Sequence, residues 1–194
     1  MGDTPITSSG WIEDEKFGFY GALFSSSSVE FDSAVTRTGR LTLKVSTVDT
    51  SGRARFHFGV DPGSTPNYPI DTIAKYGIPI KPSTRYRVNC YVKTVNANTN
   101  SVFLFAQQAT LVGVKTGSNK YSNRLTGNND FTLLTLNFTS EADAAYLALS
   151  GSANVAGNIS DAWFDVNSMT LEEVVTDTTF TGKVAEKIRP VLQA

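Results

Sequence analysis

The side chains of this sequence that could do chemistry are few. There is one histidine, His57, and one cysteine, Cys90, so paired-histidine metal sites, HExxH helices and internal disulfides are excluded. What remains is recognition by planar groups. In RYRVNCYVK, Tyr91 shares a parity with Arg87, Asn89 and Lys93, while Arg53, Arg55 and His57 share the parity opposite to Phe56 and Phe58. Gln107 closes an apolar run that could lie on the same sheet. A flat ring covers the C–H face of a polyhydroxylated ligand, and amide or guanidinium groups around it bind the hydroxyl edges. If these strands form one concave sheet, Arg55, His57, Asn89, Tyr91 and Gln107 line an open groove. The competing expectation is a solvated face, since alternation demands outward polar residues in any half-buried sheet. A second candidate is a rim of loop tips carrying Asn67, Tyr68, Tyr76, Tyr121, Asn123 and Arg124.

Acid–base chemistry has weaker support. A glycosidase needs two carboxylates about 5 to 9 Å apart in a cleft, but Glu13, Asp14 and Glu15 crowd into WIEDEK, where neighbours on a strand point opposite ways. They read as a solvated acidic loop. A lyase would need a pairing such as His57 with Tyr91. Trp163 is expected to pin the last strand rather than to stack on a ligand, and Trp11 to cap the sandwich or lie exposed.

These residues need elements to position them. The most regular segment is IPIKPSTRYRVNCYVKT, residues 78–94, in which a proline-bounded turn launches a strand with Tyr86, Val88, Cys90 and Val92 facing inward. Cys90 is thereby a small core residue. Further strands are expected over 29–32, 41–48, 54–60, 102–108, 131–139, 144–150 and 162–172, separated by Gly, Pro, Asn, Ser and Asp clusters. Leu41, Leu43 and Val45, with Leu134, Leu136 and Phe138, are the predicted core rows. Residues 102–106 are apolar on both parities, which predicts a strand buried on both faces or covered by a loop. Residues 61–75, 113–129 and 151–161 read as long loops.

With 194 residues, 40% hydrophobic and 18% charged, the chain can bury one substantial core. The fold class expected is all-β, a two-sheet antiparallel β-sandwich. An N-terminal segment 1–24 contributes early strand, the sandwich occupies 25–175, and 176–194 forms a helical or flexible tail. Val184, Ile188 and Leu192 recur there at helical spacing, interrupted by Pro190. Seventeen basic against eighteen acidic residues give a net charge of -1, so neither nucleic acid nor a membrane is an expected partner. No run approaches the roughly 20 apolar residues of a membrane span, and residues 1–10 lack the pattern of a signal peptide.

The succession VEFDSAVTRTGRLTLKVS, IPIKPSTRYRVNCYVKT, NNDFTLLTLNFTSEADAAYLALSG and AWFDVNSMTLEEV resembles the jelly-roll carbohydrate-binding modules of the family 4/9 type, in the galactose-binding-like superfamily. It covers residues 29–174. Two departures stand out: Gly10-Trp11 lacks the family's preceding Asn and Phe-Glu pair, and Asp165 is followed by Val166 where the family carries a second carboxylate. The resemblance implies a jelly roll that binds a carbohydrate or glycan surface without catalysis, either extracellular or on a virion surface. It also implies a structural Ca2+ ligated by Asp165, calcium taking six to eight oxygens. The competing expectation is that backbone amides at a strand end satisfy Asp165. Two other functions stay open. One is a structural protein of a phage particle, in the capsid decoration, collar or tail, joining protein partners through sheet edges or oligomerising through the C-terminal tail. The other is a jelly-roll polysaccharide lyase or glycosidase.

Overall fold

A computed structural model describes residues 6–7, 19–24, 27–47, 53–59, 77–154 and 160–174. Eleven strands make up the framework: β1 (Ile6–Thr7), β2 (Phe19–Phe24), β3 (Ser27–Asp32), β4 (Thr42–Thr47), β5 (Arg53–Phe58), β6 (Ile78–Pro79), β7 (Arg85–Ala109), β8 (Lys115–Thr139), β9 (Tyr146–Asn154), β10 (Ser160–Phe164) and β11 (Thr170–Glu173). The alternation in residues 85–93 has the expected consequence. Tyr86, Val88, Cys90 and Val92 are buried, while Arg85 and Arg87 are exposed. The turn before this strand carries Ser83 at a φ of 50°, and the Tyr86 hydroxyl accepts the Lys81 amide at 2.8 Å.

The spine of the fold is the β7–β8 hairpin. Along one edge, the first half of β7 pairs with β11 and β10, and its second half pairs with β9. Along the other edge β8 follows it throughout, with irregular register between Val92 and Gln108. Such irregularities bend and twist a strand. Two half-sheets therefore share the hairpin: β3, β4 and β10 extend the first half, and β2, β5 and β9 extend the second. All pairs are antiparallel. The inner faces meet where Phe56 of β5 packs edge-on against Phe164 of β10, centroids 4.9 Å apart. Both rings are fully buried, each worth about 1.5 to 3 kcal/mol of apolar transfer. The chain is an all-β, two-sheet jelly-roll sandwich, as its alternation predicts.

Five expectations need correction. Of residues 151–161, read as a long loop, 151–154 belong to β9 and 160–161 to β10. Residues 113–129 are the turn and first half of β8, not a loop, because their backbone groups complete the ladder with β7. The strand launched within residues 78–94 and the one expected at 102–108 are one continuous β7. The stretch 162–172 is divided into β10 and β11 by a 3-10 turn, Val166–Ser168. Leu41 lies ahead of β4 and is exposed, although Leu43 and Val45 are core. Trp163 does pin its strand: its indole N–H donates to Asp32 Oδ2 at 2.7 Å, tying β10 to β3 across β4. Trp11, the acidic WIEDEK run and the tail from 176 lie outside the described residues, and among those described no helix is long and apolar enough to cross a membrane.

Candidate functional site

The outer face of the β5, β9, β7 and β8 half-sheet carries an ordered array set by strand register. One row runs Arg55, Ser152, Phe103, Arg124, and the next runs His57, Ser150, Phe105, Tyr121. Odd-numbered residues of β7 face outward here because Leu104 and Ala106 fill the core. The apolar run 102–106 is buried on both parities, as its sequence predicts: Val102, Leu104 and Ala106 join the core, and Phe103 and Phe105 form a buried aromatic row on the other face.

The aromatic members touch one another. Phe103 and Phe105 lie 5.7 and 6.2 Å from Tyr121, centroid to centroid. Tyr121 is 48% exposed, whereas the two phenylalanines are buried, so Tyr121 presents a surface ring backed by two others. Cations bracket the cluster. The Arg124 guanidinium sits 4.4 Å from the Phe103 centroid and 5.4 Å from that of Tyr121, and the Arg55 guanidinium sits 5.4 Å from that of Phe105. Gln107 Nε2 donates to Asn119 Oδ1 at 3.1 Å, and Asn119 Nδ2 donates to the Tyr121 hydroxyl. Gln107 Oε1 and Ser152 Oγ are buried with no hydrogen-bond partner among the described residues.

His57 is held with Nδ1 2.6 Å from Ser150 Oγ. Its pKa is lowered to about 3, mainly because burial disfavours the imidazolium and secondarily because Arg55 is near. At neutral pH it is an uncharged hydrogen-bonding ring with little basicity.

Of the residues expected from sequence, the structure brings Arg55, His57, Gln107, Tyr121 and Arg124 onto this one face. It does not bring Asn89 and Tyr91 to them. Those two sit on the first half of β7, where Asn89 accepts the Thr135 hydroxyl at 3.0 Å and Tyr91 lies 3.9 Å beneath the Arg37 guanidinium. The single groove drawn from shared parity fails because β7 serves both half-sheets. For the same reason the His57 and Tyr91 pairing is not formed. Tyr68, with Asn67 and Tyr76 of the loop rim, lies outside the described residues. Phe103, Phe105, Asn119 and the two serines were not singled out by sequence, though the continuation of one parity from Phe103 through Phe105 to Gln107 carried the signal.

Asp165, the expected calcium ligand, is buried with its carboxylate engaged otherwise. Arg37 Nε donates to Oδ2 at 2.8 Å. Oδ1 is buried with no hydrogen-bond partner among the described residues. A divalent ion there would sit against the guanidinium, and no group of three or more His, Cys, Asp or Glu among the described residues could hold it. Nor do backbone amides satisfy the carboxylate as alternatively expected, since the only donor to it among the described residues is a side chain.

No family model matches the sequence, and no curated protein matches it. Solved structures do resemble it in fold. A tailspike protein of bacteriophage CBA120, in its enzymatically active domain, superposes with a TM-score of 0.58 at 12% identity, over 85% of this chain and 20% of that one. A Stig cyclase, Fisc, from Fischerella sp. TAU gives 0.55 at 12% identity, over 90% of this chain and 100% of that one. The CBM22-1 and GH10 modules of Clostridium thermocellum endo-1,4-beta-D-xylanase 10B, complexed with xylohexaose, give 0.54 at 11% identity, over 81% of this chain and 26% of that one. The chain thus spans about a fifth of the tailspike and a quarter of the xylanase.

Proposed function

We propose that the chain is a carbohydrate-binding module of the family 4/9 type whose ligand lies across the outer face of the β5, β9, β7 and β8 half-sheet. The observation that carries this reading is the array itself: an exposed Tyr121 ring backed by Phe103 and Phe105 and flanked by Arg55, Arg124 and Gln107. A pyranose ring stacks on the phenol face while guanidinium and amide groups take its hydroxyls. The xylanase structure, which contains a CBM22 module and bound xylohexaose, supports the ligand class. A non-catalytic role fits the chemistry of the array, which offers rings, guanidinium, amide and an uncharged imidazole. The module would work outside the cell or on a virion surface.

The test is glycan-array screening followed by titration calorimetry. The wild type should bind a polysaccharide class, and Tyr121→Ala should weaken it by about tenfold, the loss of one stacking ring. Binding to no glycan, or binding indifferent to Tyr121, would overturn the reading.

A second reading is a structural component of a phage particle. The tailspike similarity favours it, and so does the tip of the β7–β8 hairpin, where Leu111, Val112 and Val114 are 71, 80 and 59% exposed. The tip is a defined turn, with the Thr110 amide bonded to Val114 O and the Gly113 amide to Thr110 O. Exposed aliphatics on a tight turn suit a protein contact.

A further inference from the structure

On the half-sheet away from Tyr121, residues 34–37 and the outer side of β7 and β8 border an open cleft of about 570 Å3. It is lined by Val35, Arg37, Tyr91, Lys93, Asp130 and Phe131 among others. The segment that forms its wall is tied down. Asp32 Oδ1 accepts the Ala34 and Val35 amides at 2.7 and 3.2 Å, and the Thr42 hydroxyl donates to Val35 O at 2.7 Å. Arg37 is fixed from two sides. Its Nε is bonded to the buried Asp165, and its Cζ lies 3.9 Å from the centroid of the Tyr91 ring.

This posture uses one of the five guanidinium donors. The terminal Nη groups have no acceptor among the described residues, and the side chain is about one-third exposed on the cleft side. A guanidinium held by packing and one ion pair has already lost its rotamer freedom, so its open fork can receive a planar anion without that cost. Lys93 lies on the same wall, its Nζ 3.6 Å from the largely exposed Asp130. That contact is too long for a hydrogen bond and weak in water, so the ammonium is open to a second acceptor. Asp130 can in turn accept a hydroxyl, and Tyr91 and Phe131 give the cleft apolar walls.

We propose that this cleft is a second binding site, separate from the Tyr121 face, for the carboxylate of a uronic-acid unit. The carboxylate pairs with the Arg37 fork and Lys93, and a ring hydroxyl reaches Asp130. A two-pronged guanidinium beside an ammonium suits a carboxylate, and the neighbouring hydroxyl acceptor and ring walls suit a sugar bearing it.

The experiment is an NMR and calorimetric titration of the full chain with an oligogalacturonide, alongside its carboxyl-reduced counterpart, a neutral xylo-oligosaccharide, and sodium acetate. The oligogalacturonide should shift amides of Tyr91, Lys93 and Phe131. Its affinity should fall about fivefold in Lys93→Ala and by more in Arg37→Lys, which keeps charge but loses the fork. Thermal melts of both variants separate lost binding from lost folding, and the solvent-facing Lys93→Ala carries the test if Arg37→Lys unfolds. Equal binding of the carboxyl-reduced sugar, shifts confined to Tyr121, no binding of the oligogalacturonide, or acetate binding as tightly as the oligosaccharide would each overturn the proposal. Failure of the neutral sugar alone would count against the Tyr121 reading and leave the cleft intact.

Discussion

Buried and half-buried polar residues set the pH and charge behaviour at the scale of single side chains. His57 in the folded state has a pKa of about 3, against 6.5 for an unperturbed histidine. Between those values the unfolded chain binds a proton that the folded chain refuses, so stability falls as pH drops from 6.5 toward 3 and the loss levels off below. At pH 4.5 the deficit relative to pH 7.5 is on the order of 2 kcal/mol. Urea titrations of the wild type and His57→Gln at both values check this, the variant losing less. Identical losses would show that the folded histidine takes up its proton. The comparison is needed because Asp32 pulls the same way: its pKa is lowered by the Trp163 indole first and the Ala34 amide next, so its contribution is also lost in acid. The Arg37–Asp165 pair is more consequential. Truncating Arg37 to Ala leaves a buried carboxylate uncompensated and should cost on the order of 2 to 3 kcal/mol, measured by the same unfolding assay. Because that pair holds the corner where the sequence resemblance implies calcium, chelation by EDTA should leave the melting temperature of the wild type unchanged.

Strands explain both what the sequence disclosed and what it hid. Gly151 on β9 lies under the two rings that join the half-sheets. A Cβ there would stand 2.1 and 2.4 Å from Phe56 ring atoms and 2.9 Å from Phe164. Gly151→Ala should therefore destabilise by about 1 to 3 kcal/mol through overpacking, and Phe56→Leu in the same chain should recover part of it. Additive losses in the double variant would mean that the ring is not what the methyl strikes. The row Tyr86, Val88, Cys90 and Val92 was legible because each residue obeys the local period of two. The first half of β8 was not, since GVKTGSNKYSNRLTGNN carries the residues of turns and is held extended by its partner β7. Its only local trace is burial of Ser122 and Leu125. The candidate face was half legible for the same reason. Parity placed Arg55, His57 and Gln107 outward, yet the bend that removes Asn89 and Tyr91 from their company is a tertiary property. Arg37, in SAVTRTGR, has no local signal at all; its role comes from Asp165, distant in sequence and adjacent in space.

The whole molecule is nearly neutral, with a net charge of -1 and a sequence pI of about 5.8, and this separates the two proposed sites by experiment. A protein without a net field neither concentrates nor repels a distant ligand. Binding of an uncharged oligosaccharide to the Tyr121 face rests on stacking and short hydrogen bonds, which salt screens weakly. Raising sodium chloride from about 50 to 500 mM should change that affinity by less than about twofold. The cleft behaves differently because its ligand is an anion meeting Arg37 and Lys93 at a partly exposed surface. The same salt increase shortens the screening length from roughly 14 to 4 Å and should weaken oligogalacturonide binding several-fold. Calorimetry in parallel salt series on one preparation makes the comparison internal. If both ligands prove equally sensitive to salt, the two half-sheets do not divide the labour between a neutral and an acidic sugar, and a single electrostatic site serves both.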